Sequence, residues 1–457
     1  MNALYVICGL GFLSLLTEIF NLKKILATTI LLGLLVAAFI MIIDWDTNVH
    51  YYNDMVVFDN FSIAFTTLII VIAIFWFWMA GDYFKGQSHQ TDRSALIIFA
   101  IVGAVLMVSF NNMAMLFLGI EILSISIYAL AGSKKESLFS NEAAFKYFLM
   151  GSFATGFLLM GIALVYGATG SFHITIIANY LASHSKELPG FFYTGVILML
   201  VGLAFKISAV PFHFWAPDVY DGSPVAITTF MSTVVKIAAV AAFYKVFSIC
   251  FSSVQSSWLI IMQVITVLTL VIPNFTAVYQ SGVKRMLAYS SVGHVGYILL
   301  AFISNTTESS GIIFYYLASY SIASIAAFCV LYTIENKENS SISFDGLYKR
   351  NPLLAVAMTF ALLSLAGIPP LAGFFAKYIV FAQALSHGNT GLVIIAVITS
   401  LVGVYYYFRV IISMFLNETS KSTITISGSI KLLLILFIAL ILLMGLFPDK
   451  LVSLLTT

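Results

Sequence analysis

Six ionisable side chains lie where the surrounding sequence is almost wholly apolar: Glu121, Lys146, Lys206, Lys236, Lys377 and Arg409. In a lipid bilayer each costs about 2.5–3.5 kcal/mol even on the most lenient scale, so such residues mark ion or proton chemistry by default. An ammonium taken out of water loses the hydration that favours its charged form, and can release and regain a proton. A carboxylate close to it opposes that release. The helical period surrounds these groups with hydroxyls. Glu121, Ser124 and Tyr128 share one face, as do Thr229, Ser232, Thr233 and Lys236, and again Ser290, His294 and Tyr297. Hydroxyls alone commonly hold membrane helices together; a stripe that also carries an ionisable group reads as a water-holding path. A lone His294 would ordinarily be a satisfied core histidine, while its place on this stripe also makes it a candidate proton relay; His213, two residues after Pro211, is likewise a candidate site near the break. Arg409 lies near the end of its helix, where a long side chain can reach the interface.

Composition says what must position these groups. Of 457 residues, 61% are hydrophobic and only 9% charged, against about 25% charged in soluble domains. A soluble enzyme is excluded, and a nucleic-acid binder would need a basic face. Lys and Arg number 21 and Asp and Glu 19, so the balance itself implies no partner. Cys8, Cys250 and Cys329 are scattered in apolar runs without a CxxC or a Cys/His cluster, and no zinc, iron–sulfur or disulfide framework is expected. No phosphate-binding motif of the GxxxxGK or GxGxxG type stands in a suitable setting. We therefore expect no cofactor in this chain. The first 20 residues lack a basic leader and a small-residue cleavage site, and read as a membrane helix.

A hydrocarbon core takes roughly 20 apolar residues per helix. About fourteen such stretches follow, at 3–20, 25–43, 62–80, 94–110, 112–131, 143–167, 192–214, 224–248, 257–280, 287–304, 311–334, 353–385, 391–416 and 430–447. The expectation is an all-α polytopic membrane protein. The seventh and twelfth spans carry "FKISAVPFHFW" and "AGIPPLAGFFAK"; proline removes backbone donors, so these helices should be broken, which lipid tolerates only where protein or water covers the break. Loops on one side hold Lys23, Lys24, Lys85, Arg93, Lys134, Lys135, Lys284, Arg285, Lys337, Lys349, Arg350, Lys421 and Lys431; the other side holds Lys186, Lys245 and Lys450, with Asp44, Asp46, Asp54 and Asp59. The excess of cations puts the first side in the cytoplasm and both termini outside. Spans 4–8 and 9–13 form two sets of five in opposite orientation. Under that offset Glu121 matches His294, Lys206 matches Lys377 and Lys236 matches Arg409, as in inverted-repeat transporters. The chain so divides into a three-helix segment (1–93), two five-helix repeats (94–248 and 257–416) and a C-terminal helix (417–457).

The stretch "GLAFKISAVPFHFWAPDVYDGSPVAITTFMSTVVKIAAV" (202–240) resembles the signature of the subunit N family of bacterial NADH–quinone oxidoreductase, respiratory complex I. "FLGIEILSISIYAL" (117–130), "VKRMLAYSSVGHVGY" (283–297) and "AGIPPLAGFFAKYIVF" (366–381) agree with it in order and spacing. The resemblance implies an antiporter-like, proton-translocating subunit of the membrane arm, in the bacterial cytoplasmic (inner) membrane. Its neighbours would be other antiporter-like and small membrane subunits, and lipid. It implies that Glu121 and Lys206 form the family's ion pair, that Lys236 is its central lysine, and that Lys377 is the lysine nearest the outward exit. Lys146 and His294 also fall in similar stretches. Flavin and iron–sulfur clusters would belong to other subunits.

Moving one charge against 100 mV requires roughly 2.3 kcal/mol, and a hundredfold change in proton affinity supplies about 2.7 kcal/mol, so buried lysines suffice for pumping if another protein supplies the drive. Three other readings compete. A cation/proton antiporter subunit without redox coupling needs the same lysines, and the 211–224 string favours the first reading over it. A structural scaffold would pump normally without Lys206 or Lys236. A haem protein lacks the spaced histidine pairs it would need.

Overall fold

The computed structural model describes residues 1–20, 23–81, 83, 90–184, 187–338, 343–418 and 422–455; the loop cations Lys85, Lys186 and Lys421 lie outside the described residues. The chain opens with α1 (Asn2–Ile19) and α2 (Leu26–Ile43), followed by an antiparallel hairpin of β1 (Val49–Tyr51) and β2 (Val56–Phe58), in which Val49 pairs with Phe58. Then come α3 (Asn60–Ala80), α4 (Gln90–Ser109), α5 (Met113–Ala131), α6 (Leu138–Thr169), the short α7 (Ile174–His184), α8 (Gly190–Ile207) and α9 (Trp215–Gly222). The run Val225–Cys250 is not a regular helix. It consists of α10 (Val225–Phe230), a π turn (Met231–Val235), α11 (Lys236–Tyr244) and a second π turn (Lys245–Cys250). After it lie α12 (Gln255–Val278), α13 (Val283–Ser304), α14 (Ser309–Glu338), α15 (Leu347–Arg350), α16 (Pro352–Ala366), α17 (Ala372–Ser386), α18 (Thr390–Leu416), α19 (Gly428–Leu446) and α20 (Pro448–Val452).

Among the described residues, thirteen helices are long and apolar enough to cross a membrane, and the shorter α16 and α17 are the halves of the expected twelfth span. The protein is thus an all-α, multi-pass membrane protein. Local chemistry sets the helix ends. Asp59 accepts from Ser62 N at 2.8 Å to start α3, Asn112 from Ala114 N at 2.9 Å to start α5, and Asn351 from Leu354 N with Pro352 at the first position of α16. These side chains satisfy backbone donors that the helix leaves unpaired. Tight pairs use small residues, the membrane solution to close packing: a Cβ on Gly161 of α6 would meet Gly195 O and the Met199 backbone of α8, each under 3.0 Å away.

Two compact units divide the chain. The first is Met1–Trp215 with Val234–Val264, and the second is Ala216–Thr233 with Ile265–Thr457. In the first, α3, α4 and α8 pack against α11, and α6 packs along α8. In the second, α14 contacts α10, α13, α16, α17 and α19. Around these cores α1, α2, α6, α18 and α19 leave Phe12, Phe39, Phe153, Leu401 and Leu432 exposed, faces suited to lipid or to another membrane protein.

The structure corrects some boundaries. The seventh span does not end at residue 214 but resumes as α9 to Gly222, and α6 starts five residues before the expected 143. The latter brings Glu142, absent from the sequence inventory of helical charges, into α6. Lys245 is not an outer-loop residue: it is buried within the run Val225–Cys250.

Candidate functional site

In the first unit the site is built at the broken helix. Pro211 has no N–H to continue α8, which ends at Ile207; Ser208 turns left-handed at φ 64, and the Val210–Pro211 peptide is cis. Lys206 therefore sits in the last turn, at the carbonyl end of the helix, where the macrodipole favours a cation. It is 5% exposed, and its Nζ donates to Ser124 Oγ at 2.6 Å. Ser124 in turn donates to Ile120 O on its own helix. The Tyr147 ring lies 5.8 Å from the same Nζ and stacks on Trp215 at 4.5 Å, while Trp215 Nε1 donates to Phe205 O at 3.1 Å. The phenol ring thus faces the ammonium, with the indole stacked behind it.

Glu121 stands one turn before Ser124 on α5, as its spacing requires. No direct ion pair joins it to Lys206, whose ammonium bonds Ser124 instead. Glu121 Oε1 is buried without a hydrogen-bond partner among the described residues. The Ser124 hydroxyl, rather than the Glu121 carboxylate, holds the amine. Tyr128, the third member of that face, packs its ring edge-on against Tyr147 at 4.7 Å.

Lys236 is 3% exposed and directly follows the first π turn. The hydroxyls expected to share its stripe are turned back onto their own helix: Thr229 donates to Val225 O at 2.7 Å, Ser232 to Thr229 O at 3.0 Å, and Thr233 to Thr229 O at 2.7 Å. His213 is buried in the break after α8 with Nδ1 unpartnered among the described residues.

Two expected members do not join the site. Lys146 is on the outward side of α6, its side chain 39% exposed and paired with Glu142 at 2.7 Å, because it is the next residue, Tyr147, that points into the unit. Arg409 donates to Val278 O at 2.8 Å and to Gln280 O, and so satisfies the carbonyl end of α12, a common use of arginine at a helix terminus.

Lys245 was missed. It is 6% exposed, its Nζ donates to Val108 O at 3.2 Å at the end of α4, and the Phe110 and Phe61 rings lie 5.2 and 5.9 Å away. Asp59 acts on it electrostatically. The signal was present: "KVFSIC" continues the apolar run to residue 250.

In the second unit His294 is bracketed by phenols. Nδ1 faces Tyr316 OH at 2.8 Å and Nε2 faces Tyr407 OH at 3.4 Å, and Tyr407 also bonds Ser290. A small cavity lined by His294, Tyr316, Ser319, Tyr320 and Ser364 adjoins it. Lys377 stands on α17 after the second break, where Gly367 is left-handed at φ 86 and the Pro369–Pro370 peptide is cis. Its Nζ donates to Ala366 O and to Ser400 Oγ, both at 2.9 Å, and lies 4.9 Å over the Tyr297 ring. Its left-handed conformation favours glycine at 367, where a Cβ would also come within 3.0 Å of Lys377 Cδ.

These arrangements suit proton exchange. Lys206 and Lys377 are held by hydroxyls, a carbonyl and ring faces, all neutral, which can accept from the ammonium yet do not lock it as a carboxylate would. Among the described residues no group of His, Cys, Asp and Glu could hold a metal ion.

Residues 110–403 match the family described as NADH:quinone oxidoreductase/Mrp antiporter, transmembrane. NADH-quinone oxidoreductase subunit N of Cytophaga hutchinsonii is 44% identical over 99% of both chains, and that of Flavobacterium johnsoniae is 44% identical over 100% of both. The chain belongs to the subunit N family of NADH–quinone oxidoreductases. A chain of respiratory complex I from Thermus thermophilus matches with TM-score 0.84 and 32% identity over 99% of this chain and 98% of that one. The fold is wider than this family: a chain of the Mrp complex from Dietzia sp. superposes with TM-score 0.88 at 20% identity, over 99% and 96% of the two chains. Within the subunit N family, then, this chain keeps buried lysines on both of its broken helices and on the run between them.

Proposed function

We propose that this chain is a proton-translocating, non-redox subunit of the membrane arm of an NADH–quinone oxidoreductase, coupled to NADH oxidation and quinone reduction that occur in other subunits. One observation carries the reading: Lys206 and Lys236 are buried within helices long and apolar enough to cross a membrane, and Lys377 is buried within the shorter apolar helix α17. Their retention there at the cost of charge burial has its natural explanation in proton exchange.

In this reading Lys206, modulated by the charge of Glu121, Lys236 and Lys377 each take up and release a proton, and His294 serves the second unit as a relay. His213 is a further candidate beside the first break. Lys146 and Arg409 have the lesser claim, given their contacts. Residues 94–248 and 257–416 act as inverted repeats between the segments 1–93 and 417–457. Flavin and iron–sulfur clusters reside in partner subunits, and the partners are neighbouring antiporter-like and small membrane subunits. The chain lies in the bacterial cytoplasmic membrane with both termini outside, on the strength of the loop cations; cysteine labelling of 44–60 from the cytoplasm would contradict that orientation.

The test is Lys236→Ala in the assembled complex. Turnover and proton transfer slow while assembly persists; a normal rate with a normal proton-to-electron ratio refutes the reading.

A further inference from the structure

The second break is bridged by a side chain that the proton chemistry above leaves unused. The half-helix that bears Lys377 starts at Ala372, behind Leu371, which supplies no capping side chain. The first N–H groups of a helix have no partner within it, and a side-chain oxygen commonly satisfies one of them. Here the cap comes from the other half of the same span. Ser364, in the last turn of α16, accepts from the Gly373 N–H at 3.1 Å. It is fully buried, and a Cβ on Gly373 would clash with Ser364 O. Glycine is what lets the start of α17 come this close to the end of α16.

Two bonds therefore cross the break in opposite directions. Ser364 on α16 takes the N–H of Gly373 on α17, and Lys377 on α17 reaches back to Ala366 O on α16, at 2.9 Å. Gly373 and Lys377 are about one turn apart on the same half-helix, so the separation of the two halves is common to both bonds. A cap that lengthens draws the ammonium away from its carbonyl. Neighbouring helices hold the break as well. Tyr315 OH, on α14, donates to Ala372 O at 3.2 Å and to Met444 O of α19 at 2.9 Å, and a Cβ on Gly445 would clash with Pro370 O. Ser364 also borders the small cavity beside His294.

We propose that Ser364 is a positioning residue for proton transfer at Lys377: by capping α17 from the end of α16, it holds the second break at the width at which the Lys377 ammonium meets the Ala366 carbonyl. Ser364 acts through the half-helix on which the lysine stands; the ammonium itself donates to Ala366 O and Ser400 Oγ. The proposal rests on the proton-translocating reading above.

The experiment measures NADH-driven proton uptake per electron in membrane vesicles carrying the assembled complex, for Ser364→Ala, Lys377→Ala and the double variant. Alanine removes one oxygen from the buried side chain and adds nothing. Ser364→Ala lowers proton uptake about fivefold, the rate equivalent of one hydrogen bond of about 1 kcal/mol, and lowers the proton-to-electron ratio, which a purely structural defect leaves alone. The double variant is no worse than Lys377→Ala, because Ser364 works only through that lysine. A normal ratio in Ser364→Ala, or a double-variant loss equal to the product of the two single losses, overturns the proposal. If Ser364→Ala does not assemble, Tyr315→Phe decides, since it removes one oxygen from the other side-chain bond to the start of α17 and keeps the ring; an unchanged ratio there, or a second failure to assemble, overturns the proposal. A normal ratio in Lys377→Ala refutes the proton-translocating reading itself, whereas a defect in Lys377→Ala with a normal Ser364→Ala refutes only the role of Ser364.

Discussion

The Lys377 ammonium donates to the carbonyl oxygen of Ala366, 2.9 Å away, across the break between two half-helices. Ala366 ends α16, so its carbonyl belongs to the negative end of that half-helix. Lys206 uses the same physics from the other direction, as a member of the last turn of α8. The two lysines thus occupy opposite sides of their breaks: Lys206 precedes the first, and Lys377 follows the second and reaches back over it. In both, a broken helix supplies partial negative charge to an ammonium without fixing a full carboxylate beside it.

This arrangement separates positive charge from proton exchange. Arginine stays protonated at any physiological pH. Lys377→Arg should therefore assemble yet lose proton transfer nearly as fully as Lys377→Ala, as read by dye quenching in NADH-energised vesicles. Near-normal quenching in the arginine variant would mean that Lys377 serves only as a fixed cation.

Ser124 rather than Glu121 touches Lys206. Ser124→Ala removes one hydrogen bond to a charged group, a loss of about 1.5–3 kcal/mol, and turnover should fall by at least the corresponding order of magnitude. Glu121→Gln should also weaken activity, and Glu121→Asp less so, because the aspartate keeps the charge. Equal defects in the glutamine and aspartate variants would argue against a charge role for Glu121.

Lys245 tests the opposite case, a cation at a helix end. It caps the α4 carbonyl at Val108, to which Ser62 Oγ also donates. Lys245→Arg should preserve both assembly and proton transfer, whereas Lys245→Met leaves the carbonyl end short of a donor and should destabilise the subunit by about 1–3 kcal/mol. Thermal inactivation of the purified complex reads the difference. Loss of pumping in a fully stable arginine variant would instead make Lys245 an exchange site.

Lys146 pairs with Glu142 on a half-exposed face of α6, and such pairs are worth about 0.5 kcal/mol. Lys146→Ala should leave the proton-to-electron ratio unchanged. A reduced ratio would bring Lys146 back among the proton carriers.

Much of this molecule was legible from composition and spacing alone. Lipid penalises a charged side chain or an unpaired backbone group wherever it occurs, so the multi-pass helical class, the breaks at Pro211 and at Pro369–Pro370, and the burial of Lys206, Lys236 and Lys377 all follow from the order of residues. The face of α5 that joins Glu121 to Ser124 followed from the helical period, and Lys206 bonds that very face.

Only the tertiary structure decided which way each charge turns. A membrane helix such as α6 is apolar on every side, so no amphipathic pattern marks its inward face. That is why Lys146 and Tyr147, adjacent in sequence, point oppositely, and why Lys245 and Arg409 both turn to donate to the carbonyl end of a neighbouring helix. The choice of Ser124 over Glu121 as the direct partner of Lys206, and the bond from Tyr406 to Asn274, depend on how separate helices pack. Side-chain partners far apart in the chain are selected by that packing, and no local spacing encodes it.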